Sequence, residues 1–118
     1  MAKKTVIPFI NNDGVSLIDG YETDCKGLGV INDKELKAWR LIHISSGLQL
    51  GRFRTRKVAL RAAEIHNEID VDFTMTSEQL RAMPDFEAIA RCSVAACAVA
   101  VAEDEALRFD SRISDING

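Results

Sequence analysis

The chain changes its hydrophobic period at Thr55. Before it, short apolar runs are broken by turn residues. After it, apolar residues recur three and four positions apart. A period near two belongs to strands and a period near 3.6 to helices, so one element cannot satisfy both. The switch predicts an α+β fold, with a small antiparallel sheet over residues 5–54 followed by two or three helices at 56–69, 77–82 and 84–109. A chain of 118 residues suits one domain, expected here over 1–110 with a frayed tail at 111–118. Its 47 % hydrophobic and 28 % charged residues are globular in balance and exclude collagen, a mucin-like stalk and a long coiled coil.

Within the sheet, Val6–Ile10 reads as a strand, and Pro8 places it at an edge because proline cannot donate to a ladder. Asn12-Asp13-Gly14 is a turn signal, with Val15–Ile18 returning. Val30 and Ile31 suggest a short strand. Ala38–Ile44 and Leu48–Phe53 form the clearest pair. A two-residue loop at Ser46 and Gly47 would pair Ile44 with Gln49, Ile42 with Gly51 and Arg40 with Phe53. One face would then hold Ala38, Ile42, Ile44 and Phe53. The other would hold Trp39, Leu41, His43, Leu48, Leu50, Arg52 and Arg54. A slip of one residue would exchange these faces.

Thr55 can cap the first helix, whose stripe is Val58, Ala62, Ile65 and Ile69, widened by Ala59 and Ala63. Asp70–Thr76 reads as a linker. Thr76 with Gln79 resembles a capping box, and Pro84 suits the first turn of a third helix. The centre of that helix, Val94–Ala102, is apolar all round, which predicts burial on several sides. One small sheet is a poor match for so much surface. A homodimer through Val94, Cys97, Ala98 and Val101 is therefore expected.

That run, the longest apolar one, has nine residues, whereas a membrane span needs about 20. Val6–Ile10 is too short for a signal-peptide core and is interrupted by Pro8. A soluble, non-exported, cytoplasmic protein without membrane contact is expected. Cys25, Cys92 and Cys97 are too few and too irregular for a disulfide framework, and read as small buried apolar residues. No phosphate-cradling loop, nucleophile elbow or metal-ligand spacing occurs, and His43 and His66 have no carboxylate at a useful spacing. Neither an enzyme nor a cofactor or metal site is expected.

Charge is divided along the chain. Residues 1–62 hold 11 basic and 6 acidic residues, and residues 63–118 hold 4 and 12. Between Arg40 and Arg61 lie Arg40, Arg52, Arg54, Arg56, Lys57 and Arg61 with no acid among them. Such a block attracts phosphates and releases their counterions. Arg40, Arg52 and Arg54 come from adjacent strands with Trp39 and His43 among them, and the helix start continues the charge.

Residues 39–69 resemble an AP2-type DNA-binding module, a family that includes arm-binding domains like those of phage integrases. Leu50, Gly51, Phe53, Thr55, Ala59, Ala62 and Ala63 match its pattern of a last strand ending in Gly-x-Phe, a threonine start and an alanine-packed helix. The resemblance implies that arginines on the outer sheet face enter the major groove, a role falling here to Arg40, Arg52 and Arg54, with Trp39. It suggests a small protein of phage or mobile-element type. The expected function is non-enzymatic binding of nucleic acid, or of a nucleic-acid-handling complex, through the basic hairpin and helix start. The alternative is a protein-binding inhibitor or adaptor of anti-defence type. It would act on a host protein through the acidic second half, with Glu103, Asp104 and Glu105.

Overall fold

A computed structural model describes residues 3–117, with side chains through Ile113. Five strands come first: β1 (Lys3–Asn11), β2 (Gly14–Glu22), β3 (Leu28–Asp33), β4 (Ala38–His43) and β5 (Leu48–Phe53). Three helices follow: α1 (Arg56–His66), α2 (Ser77–Arg81) and α3 (Phe86–Asn117). The strands form one antiparallel sheet in the order β1-β2-β3-β4-β5, so each pairs with its neighbour in sequence. The α+β expectation is met.

Alternation along the strands separates two cores. Leu28, Val30, Leu41 and Phe53 face α1 and meet Val58, Ala59, Ala62 and Ala63. Ile7, Ile31 and Ile42 form a second cluster, with Phe9, Ile18 and Ile44 packed around it. That cluster exists because the sheet coils until β1 returns over its concave side. Gly20 and Gly29 make this possible, since a Cβ at either would lie 2.8 or 2.4 Å from the tip of Ile7. The Ile10 amide then donates to the Gly47 carbonyl at 3.0 Å, tying β1 to the β4–β5 turn.

The β4–β5 register differs from the expected one. His43 pairs with Leu48, Ile42 with Gln49, Arg40 with Arg52 and Trp39 with Phe53. The loop spans residues 44–47, with the Gly47 amide donating to the His43 carbonyl at 2.8 Å. A register shift between Leu41 and Ile42 marks an extra residue on β5. A bulge reverses the side-chain alternation beyond it. Phe53 therefore joins Trp39 on the α1 face, while Arg52 joins Arg40 on the other.

Thr55 caps α1 by accepting from the Val58 amide at 3.3 Å. The helix ends at His66, and three tighter i to i−3 turns carry the chain on to Ile69, where a continuous helix is expected. Thr76 and Gln79 form the capping box of α2. The third helix corrects two expectations. It continues to Asn117, through the expected tail. Its centre is not enclosed: Ala96 and Ala100 are buried against α1, whereas Val94, Val99 and Val101 are exposed. One side of the helix docks on the body, with Ile89, Ala96 and Ala100 buried and Ser93 and Cys97 half-buried beside them, and the far side is open. No helix among the described residues is long and apolar enough to cross a membrane.

Gly27 gives a sharp test of how the helical layer is seated. Its φ is +92°, and a Cβ there would lie 2.3 Å from the Phe73 carbonyl oxygen. Gly27→Ala is expected to cost at least about 2 kcal/mol, from left-handed strain and displacement of the Phe73 loop. Denaturant unfolding would show this as a lower midpoint at an unchanged slope.

Candidate functional site

The six expected cations do not form one open patch. The side chain of Arg40 is only 14 % exposed and is ion-paired with Asp33 at 2.7 Å. It also donates to Gln49 and stacks on Phe9, its guanidinium 5.1 Å from the ring centre. The Arg40 pair holds the Asp33 carboxyl below the ordinary carboxylate value. Arg54 donates to Asp104 through Nε at 3.2 Å and Nη2 at 2.9 Å. Arg61 grips Glu103 in the same two-pronged way, at 2.9 and 3.1 Å, and reaches Glu64 at 2.8 Å. Both α3 carboxylates are thereby lowered in pKa, first by these hydrogen bonds.

The basic block and the acidic block thus meet each other. Glu103 and Asp104 face the start of α1, while Glu105 is exposed and directed elsewhere. Arg56 lies over the rings of Tyr21 and Trp39, 4.9 and 5.9 Å from their centres. These rings offset the unfavourable position of a cation at a helix N-terminus. Trp39 is half-buried beneath it. Arg52 and Lys57 remain exposed, Arg52 on the sheet face opposite α1.

His43 is removed from the basic surface. It is buried, with Nδ1 2.7 Å from Ser46 Oγ and Nε2 2.9 Å from the Phe73 carbonyl. A carbonyl only accepts, so Nε2 carries the proton and the Ser46 hydroxyl donates to Nδ1. His66 repeats the arrangement: Nδ1–H donates to the Ala62 carbonyl at 2.6 Å, and Nε2 accepts from Ser93 at 2.8 Å. Burial pushes the His66 pKa below 6.5. His43, Ser46 and Ser93 border an apolar cavity of about 300 Å³ whose wall includes Phe73, Leu80 and Phe86. Each imidazole is oriented by a backbone carbonyl. These pairs tie β4 and α1 to the following segments. The expected linker is thereby anchored: Phe73 is buried and stands edge-on to His66. Linear spacing gave no signal for Ser93 or Phe73 in these roles, because they lie 27 and 30 residues from the histidines they bond.

The cysteines are unpaired. Cys25 is buried, and desolvation raises its thiol to about 11. Cys97 is half-buried and directs Sγ towards the Leu50 carbonyl at 3.7 Å, so it faces the body rather than a second chain. Cys92 is exposed, against expectation, because it lies outside the docking stripe of α3.

Two apolar surfaces are open. Val6, Ile10, Val15 and Leu17 line the outer side of the β1–β2 hairpin. Along α3, the large exposed residues are Val94, Val99, Val101, Leu107, Phe109 and Ile113. Phe109 is 56 % exposed and Leu107 64 %.

Two outcomes follow. Folding stability should fall as pH drops below 6.5, because unfolded His66 takes up a proton that the buried ring resists. The depressed carboxylates add their own loss only below their ordinary values of 3.8 to 4.5. Unfolding titrations of wild type and His66→Gln between about pH 7 and 5 should show a flatter dependence in the variant. Replacing Glu103 with Gln and Asp104 with Asn should release Arg61 and Arg54 and delay elution from heparin. Unchanged elution would mean the cations are already accessible.

No protein-family model, curated protein or solved structure matches this chain, so its own geometry carries the functional reading.

Proposed function

We propose that this protein is a non-enzymatic protein-binding module with α3 as its docking element. One observation carries the reading: α3 holds large apolar side chains in water, including Phe109 at 56 % exposure, along a face with no cover from the body. Exposed apolar surface of this kind marks interaction sites, and aromatic residues are favoured anchors in them. The charges favour the same choice. Arg54 and Arg61 are already bound to Asp104 and Glu103, so two of the six expected cations are engaged within the chain.

A second reading, nucleic-acid binding, rests on Arg52, exposed on the sheet face opposite α1, and on Lys57, exposed next to the stacked Arg56. Retention experiments from nuclease-treated lysate separate the two. Protein retained by the wild type should be lost with Phe109→Asp/Ile113→Asp and kept with Arg52→Ala/Lys57→Ala. Binding abolished by nuclease or by the second variant, and indifferent to the first, would replace this reading with nucleic-acid binding. That binding would also weaken steeply with salt.

A further inference from the structure

We infer that the partner seated on α3 is a second copy of this chain, docked antiparallel about a two-fold axis passing between Leu107 and Arg108. The inference rests on the reading of α3 as a docking element and names its occupant. Its basis is a repeat on the exposed helix face. Val99, Ala102, Ala106, Phe109 and Ile113 follow one another at alternating spacings of three and four, and every one is exposed. Cys92 and Ala95, also exposed, carry the row on towards the start of the helix, outside the paired layers. Apolar residues at this seven-residue repeat form a seam that fits another helix, each side chain entering a hole on the facing helix. The seam lies beside the stripe of Ile89, Ala96 and Ala100 that docks on the body, so both surfaces can be filled at once. The expected contact through Val94, Ala98 and Val101 is also exposed, but its row runs on into Glu105 and Arg108 and does not continue as an apolar seam.

Size and charge select both the partner and its direction. In the antiparallel pairing, Ala102 faces Ile113 of the second copy and Ala106 faces its Phe109. Each layer then opposes a small and a large side chain, which fills space evenly. A parallel in-register pair would stack Phe109 on Phe109 and Ala106 on Ala106, crowding one layer and leaving a gap in the other. Along one flank, Glu105 of each copy approaches Arg112 of the other, giving two attractive pairs. A parallel pair would instead set Glu105 against Asp110. On the second flank Glu103 approaches Asp110, and Arg61, which also pairs with Glu64, offsets part of the Glu103 charge within its own chain. The reach is adequate. The molecule is 53 Å long, and a helix of 32 residues spans about 48 Å of that. Its C-terminal part can lie along the α3 of the second copy.

Sedimentation of the purified chain tests this. Wild type at about 100 µM should sediment at twice the 13.0 kDa chain mass. Phe109→Ser should weaken the dimer by at least about tenfold, with helicity retained because Phe109 is exposed. Glu105→Arg should also weaken it, and Glu105→Arg/Arg112→Glu should restore it. Tighter association of Glu105→Arg would overturn the antiparallel pairing, since that change favours the parallel contact with Asp110. A wild-type chain that stays at 13.0 kDa would overturn the second copy as occupant. The docking reading would then still stand if the Phe109→Asp/Ile113→Asp variant lost a retained protein, and would fall with the inference if it lost none.

Discussion

The close contact between α1 and α3 governs most of what surrounds it. Small buried residues line both helices, with Ala59, Ala62 and Ala63 on α1 and Ala96 and Ala100 on α3. Small side chains let the two backbones approach while α1 also rests on the sheet. The contact is narrow: of the alanines distributed around α3, only Ala96 and Ala100 are buried. A narrow contact leaves the rest of a long helix in water, and the exposed apolar row is its direct result. The same contact sets the height of α3 along α1 and brings Glu103 and Asp104 level with Arg61 and Arg54.

Buried polar pairs secure the joints between layers. His66 belongs to α1 and Ser93 to α3, so their hydrogen bond crosses the alanine contact. His43 joins β4 to the Phe73 loop, and Phe73 closes against His66. Among the described residues, every buried side-chain nitrogen and oxygen has a hydrogen-bond partner. Loss of one partner would leave the other unsatisfied in a low-dielectric interior, which costs more than an ordinary hydrogen bond contributes. These joints are therefore specific.

Electrostatics inside the chain shape what its surface offers. A block of cations with no intervening acid resembles a phosphate-binding surface when counted along the sequence. Folding returns an acidic segment from 42 and 50 residues away and neutralises part of it. The pairs are exposed, so salt and competing anions weaken them. What remains open on α3 is apolar, with charges at its margins that can set direction. A surface of that kind favours a helix as its partner.

Much of the architecture was legible from local chemistry. The change of period at Thr55, the Pro8 edge strand, the Asn12–Gly14 turn and both threonine caps are decided within a few residues, and the structure keeps them. The stripe of α1 was legible for the same reason. Distant contacts decided the rest. The β4–β5 register depended on a bulge that alternation alone does not reveal, and one extra residue moved Phe53 and Arg52 to opposite faces. The burial of Val94–Ala102 failed as an expectation because hydrophobicity shows what a helix could bury, not how much neighbouring surface exists to cover it. The length of α3 was underestimated where no cap or breaker marked its end. Of the candidate site, residue types and helical spacing can be read along the chain. Which charges neutralise one another and which apolar face stays open depend on the height and angle at which α3 crosses α1, and no local signal fixes either.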